Sequence, residues 1–192
     1  MTHTLEVIAR FRDVLREWRP ADEAQRGLAV EYLAFVDERG TAAVDRQLGR
    51  AHLTASAFVL TPDLREVLLC FHRKGGFWVQ LGGHVEPADA SLQAAALREA
   101  TEEGGIPDLV PLGAVPLDLD RHDLGAGFAR CDTHWDVGYG FVAARSRTPV
   151  ASDESEAVDW WPVDALPPDV PPGFPERLAR AVRTAAASGR MT

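Results

Sequence analysis

The stretch GGHVEPADASLQAAALREATEEGGI, residues 82–106, decides the reading of this chain. Its second half, SLQAAALREATEE at 91–103, is built of Ala, Leu, Glu, Gln and Arg, which favour helix, and Gly104-Gly105 ends it. The first half carries a glycine pair and a proline and reads as a loop. On the helix Glu99, Glu102 and Glu103 stand at i, i+3 and i+4, so their carboxylates share one face. As helix chemistry alone this is unfavourable. Like charges at that spacing cost about 0.2–0.5 kcal/mol per pair, and acids in a last turn oppose the helix dipole at about 0.3–1 kcal/mol. Arg98 is the local offset. A hard divalent cation such as Mg²⁺, which takes carboxylate oxygens together with substrate phosphates, would supply the rest; the bland alternative is a solvated acidic face.

Upstream of this stretch the texture is β. HLTASAFVL from His52, a turn at Pro62-Asp63 and EVLLCFH read as a hairpin entering a sheet, and FWVQL is a further short strand. Downstream, strands are expected at 109–117, 135–144 and 157–162, and a last helix at 175–187 after six prolines between Pro162 and Pro175. Asp118, Asp120, His122 and Asp123 read as a polar loop that would suit a substrate lid. At the front, Leu5, Ile8, Phe11, Leu15 and Trp18 recur at helical spacing up to Pro20, and Leu28, Tyr32, Leu33 and Val36 repeat the pattern up to Gly40. The expected organisation is an N-terminal helical extension over 1–50 and one main domain over 51–192. The apolar faces of the helices at 4–18 and 24–38 would cap that domain or join two copies as a homodimer.

The run Arg98, Glu99, Ala100, Glu102, Glu103, Gly105 and Ile106, behind the pair Gly82-Gly83, resembles the Nudix box in order and spacing. Two positions depart from the family pattern. The first acid is Asp89 in place of a glutamate, and eight residues instead of seven separate it from Arg98. The resemblance implies an α/β fold, a Nudix-type α/β/α sandwich with a mixed sheet, and a Mg²⁺- or Mn²⁺-dependent pyrophosphohydrolase. Its substrate would be a small nucleoside diphosphate linked to another moiety. It further implies Glu99 and Glu103 as metal ligands, Glu102 sharing a second ion or its water, the Gly82 carbonyl as another oxygen ligand, and Arg98 orienting Glu99. The base that deprotonates water would be a box glutamate or a later acid, with Asp153, Glu154 and Glu156 available. A Nudix-like nucleotide sensor without turnover is the alternative, and a diphosphate isomerase needing Cys70 or Cys131 at the pocket is a third reading.

Weaker candidates surround this core. His72 and Lys74, before the glycine turn at 75–76, could meet phosphate, and His134 and Asp136, straddling Trp135, point to one face of a strand and could line the pocket. Trp78, Trp135, Trp160 and Trp161 are candidates for base stacking or for the core. Lys+Arg is 20 against Asp+Glu 29, a formal charge of −9, which argues against polymeric nucleic acid and anionic membranes as partners. With two cysteines far apart, no long apolar run and no signal-peptide pattern, the expected location is cytoplasmic.

Overall fold

In the computed structural model, residues 2–20, 22–124, 131–151 and 155–188 are described. Two helices lead: α1 (Thr2–Glu17) and α2 (Glu23–Arg39), the second capped where Asp22 accepts a hydrogen bond from the Ala24 N–H at 2.8 Å. After them come β1 (Ala51–Leu60), β2 (Glu66–His72), β3 (Phe77–His84), α3 (Leu92–Gly104) and β4 (Val110–Pro111). β5 (Asp118–Asp123), β6 (Thr133–Val142), β7 (Ser155–Pro162) and α4 (Phe174–Ser188) complete the order.

The strands make one mixed sheet of seven, β4-β6-β1-β3-β2-β7, with β5 also on β6. β1 and β6 run parallel from Ala51 opposite Thr133 to Leu60 opposite Val142, and the other pairs are antiparallel. Nine of the ten residues of β1 are buried, because helices cover both faces, and its sequence accordingly lacks a polar alternation. Leu53, Ala55, Ala57 and Val59 pack with α1, α2 and α3, whereas Phe58 and Leu60 pack with α4. This is the expected α/β sandwich. No helix among the described residues is long and apolar enough to cross a membrane.

The N-terminal helices share the sheet's core. Val7, Ile8, Phe11, Leu15 and Trp18 of α1 and the turn after it are buried with Ala29, Tyr32, Phe35 and Val36 of α2. Leu5, expected on the inner face, is instead exposed, because the buried stripe turns through Val7. The faces expected to cap the domain or to join two copies pack mainly on the chain's own sheet. Polar anchors fix the docking: the buried Gln25 amide donates to the Leu119 carbonyl and accepts from the Leu119 N–H, and the Tyr32 hydroxyl donates to the carbonyls of Asp120 and Asp136.

Two strand expectations need correction. Of 109–117, only Val110 and Pro111 pair in the sheet. The expected polar lid at 118–123 is β5, a full partner of β6. Its inward side chains include acids, which give the strand the look of a polar loop. Asp118 and Asp136 are buried and close on Arg177 of α4, with Arg177 Nη2 2.6 Å from Asp136 and Arg180 Nε 2.7 Å from Asp118. Thr54 and Ser56 also donate to Asp136. Burial alone would weaken the charge on Arg177, but Asp118, Asp136 and Asp120 hold it protonated well above its ordinary range.

A buried cation with two buried acids on it is costly to break, because its removal strands their charges. Arg177→Met should therefore destabilise the protein by about 3–5 kcal/mol, seen as a lower denaturant midpoint at unchanged slope. A loss below about 1 kcal/mol, the worth of a surface pair, would contradict this role.

Candidate active site

The site grows from the way α3 lies on the sheet. Ser91 caps the helix by accepting from the Ala94 N–H at 3.1 Å, and Gly105, at φ 65°, turns the chain out of it. Leu92, Ala95, Ala96 and Ala100 face the sheet. Three of these are alanines, so the helix comes close and carries Glu103 to the end of β3, where its Oε2 accepts from the Gly82 N–H at 2.9 Å.

At Gly82 the backbone of β1 leaves no room for a side chain, and at Gly83 the Glu99 carboxylate takes the place of one. At Gly82, with φ 152°, a Cβ would lie 2.7 Å from the Ala55 carbonyl oxygen; at Gly83 it would lie 2.6 Å from Glu99 Oε1. Arg98 then ties helix to loop. Its Nε and Nη2 donate to the two oxygens of Asp89 at 3.1 and 3.0 Å, and Nη2 donates also to the His84 carbonyl at 3.0 Å. Nη1 donates to Glu99 and Glu102, both at 3.0 Å. Asp89, itself buried, accepts from the Glu86 N–H at 2.7 Å and so closes the loop. The Asp89 hydrogen bonds come first among the causes that hold Arg98 firmly charged, ahead of the opposing effect of burial.

Gly83, His84, Glu86, Arg98, Glu99, Glu102 and Glu103 line one side of a cleft of about 1030 Å³. The opposite wall comes from the N-terminal extension: His3, Thr4 and Val7 of α1 and residues 44–48, including Asp45 and Arg46. His3 Nε2 lies 3.0 Å from the Asp89 carbonyl oxygen. Sequence reasoning missed this wall, since nothing in residues 1–50 forms a motif. Only the apolar stripe of α1, by fixing where that helix docks, hinted at it.

The weaker candidates lie elsewhere. His72 and Lys74 sit at the β2–β3 turn, away from the cleft lining, and His72 Nδ1 accepts from the Gly75 N–H at 2.9 Å. Asp136 shares a face with His134 as expected, but it is absorbed by Arg177, Thr54 and Ser56 and does not line the cleft. Trp135 stacks on Phe35 with ring centroids 4.3 Å apart. Glu156 is exposed on β7, and Asp153 and Glu154 lie outside the described residues.

Beside the cleft stands a group that the sequence reading assembled only at His134. The rings of His52, His84 and His134 form a triangle with centroid separations of 5.0, 5.2 and 5.4 Å. Cys131 Sγ lies 3.9 Å from His84 Nε2. Burial, reinforced by the neighbouring imidazoles, lowers His84 to about 4 and His134 to about 3, and burial also lowers His52. Paired strands explain the gathering: His52 is opposite His134, and His84 is opposite Thr54, two residues along β1 on the same face.

A mixed sheet between helical layers, with a glycine-ended strand feeding a glutamate helix, defines an α/β/α sandwich. The NUDIX domain profile matches residues 50–183, and the chain belongs to that family. A NUDIX-family hydrolase from Clostridium perfringens superposes with a TM-score of 0.57 at 22% identity, covering 73% of this chain and 99% of its own. The dihydroneopterin triphosphate pyrophosphohydrolase of E. coli gives 0.56 at 17%, covering 68% and 94%. The NUDIX domain of Shewanella oneidensis NrtR, in complex with ADP ribose, gives 0.52 at 18%, covering 81% and 98%. At these identities the likeness is one of fold. No curated protein matches the chain by sequence.

The neutral histidines have a consequence for stability. The groups facing them are His122, paired with Asp120, the Cys131 thiol, Asp136, and Asp45 and Arg46 from the adjoining loop. Folded His84 and His134 bind protons more weakly than the unfolded chain, whose imidazoles titrate at about 6.5. Stability from this source is therefore complete above about pH 6.5 and is lost as pH falls toward the folded values of about 4 and 3. With a chelator present, the unfolding temperature should decline steadily below about pH 6.5; a flat profile down to about pH 4 would contradict neutral burial.

Proposed function

We propose that this chain is a metal-dependent hydrolase that cleaves the diphosphate linkage of a nucleoside diphosphate joined to another moiety, such as an NDP-sugar, ADP-ribose or an NTP-like compound. The observation that carries the reading is the set of Glu99, Glu102 and Glu103 at the cleft, tied by Arg98 to Asp89 and the loop. The donors fit a hard cation: they are carboxylates, with no Cβ at Gly83 to keep Glu99 off the strand end. Mg²⁺ or Mn²⁺ held by Glu99, Glu103 and Glu102, with the Gly82 carbonyl, would neutralise charge on the diphosphate and help to orient water.

The chain's own groups divide the remaining work. Arg98 spends its N–H donors on Asp89, Glu99, Glu102 and the His84 carbonyl, so it positions the ligands and does not grip phosphate. Glu102 is 59% exposed against 15% for Glu99, so it is the box acid that meets solvent and takes the proton from attacking water. Arg46, on the far wall, offers a cation to the substrate phosphates. The ADP-ribose complex of the NrtR domain makes ADP-ribose the first compound to try.

The test is a release assay with Mg²⁺ or Mn²⁺ over ADP-ribose, NDP-sugars, NTPs, dinucleoside polyphosphates and prenyl diphosphates. Turnover of a nucleotide diphosphate is expected; binding without turnover would replace the enzyme by a sensor module. Asp89→Asn should lower kcat by about 10–100-fold, the range for a partner that orients a ligand. Glu103→Gln should cost more than Asp89→Asn while the thermal transition remains cooperative. Near-wild-type turnover in Glu103→Gln would remove it from the ligand set.

A further inference from the structure

We propose that His52, His84, His134 and Cys131 form a second metal site, for a borderline transition-metal ion of the zinc class, separate from the carboxylates of α3. Their four donor atoms lie within 4.8 Å of one another, and among the described residues no other set of three or more His, Cys, Asp or Glu side chains does so. Tetrahedral zinc, with bonds of about 2.0–2.3 Å, sets its ligand atoms roughly 3.3–3.6 Å apart. The 3.9 Å from Cys131 Sγ to His84 Nε2 is already near that range, and small side-chain rotations close the rest.

A second observation points to a ligand. The Nε2 atoms of His52 and His134 are buried and lack hydrogen-bond partners, and His52 is wholly inaccessible. Buried nitrogens are ordinarily satisfied, and two unsatisfied ones within the same group as a thiol point to a ligand there. His52 Nδ1 lies 3.4 Å from the Gly49 carbonyl oxygen, an arrangement that keeps the proton on Nδ1 and turns the Nε2 lone pair to the cluster, as ligating histidines are commonly held. Three imidazoles and a thiolate are a soft, nitrogen-rich set that selects zinc over Mg²⁺, and four protein ligands close the site in the manner of structural zinc. His84 reaches the cleft lining, which gives the ion an entry path.

The site would tie the segment before β6, through Cys131, to the ends of β1 and β3. It would also pin His84 beside Gly83 and the Arg98-bound carbonyl, so it stiffens the loop that carries the carboxylates.

The experiment is a Co²⁺ titration of the chelator-stripped full chain, followed by absorption. One equivalent of Co²⁺ should give tetrahedral visible bands together with a thiolate charge-transfer band, and Zn²⁺ should abolish both. Cys131→Ser should lose the charge-transfer band, His134→Gln should lose the tetrahedral bands, and Glu103→Gln should keep all of them. A wild-type titration with only weak octahedral bands would overturn the site without need of any variant. So would a charge-transfer band that survives Cys131→Ser, since the thiolate would then be Cys70.

Discussion

One guanidinium holds the site together. The five N–H donors of Arg98 meet both oxygens of Asp89, Glu99, Glu102 and the carbonyl of His84, so loop, strand end and helix are joined at a single planar group. It also offsets the mutual repulsion of three carboxylates in one turn, about 0.2–0.5 kcal/mol per pair. Lysine could not substitute, as a point charge cannot bind a carboxylate edge-on while reaching two others. Asp89 serves although it is shorter than the glutamate usual in the family: both its oxygens accept from Arg98.

The opposite face of the sheet uses the same chemistry for another end. Arg177 and Arg180 of α4 meet Asp118 and Asp136 where β5 and β6 adjoin, and the polar row continues along β1 through Ser56 and Thr54 to His52. One end of this layer is therefore apolar, around Phe58 and Leu60, and the other is made of acids, hydroxyls and imidazoles. The imidazoles adjoin the cleft, so the two faces of the sheet meet at the site: carboxylates arrive from α3, histidines from the strands.

The readable parts were those in which a local pattern and the tertiary environment agree. α3 has its cap, its alanine face and its terminating glycine within a few residues of one another, and α1 and α2 show their buried stripes at helical spacing. β5 was unreadable for the converse reason. Asp118 and Asp120 look like loop residues until Arg177, far along the chain, makes them inward-facing. Leu5 was misplaced because a stripe read from spacing alone does not say which edge turns to solvent.

By itself the sequence determined the family, the box helix, the order of the three glutamates and the arginine that serves them, because these lie within 25 consecutive residues, 82–106, whose geometry a helix and a tight loop impose. Only the tertiary structure decided that α1 and the segment after α2 wall the cleft, that the helical faces pack on the sheet, and that three histidines and a cysteine converge. Each of these depends on strand pairing and helix docking between segments tens of residues apart. Such pairing is set by burial of the whole sheet, and a single stretch of the chain carries at most an apolar stripe that does not name its partner.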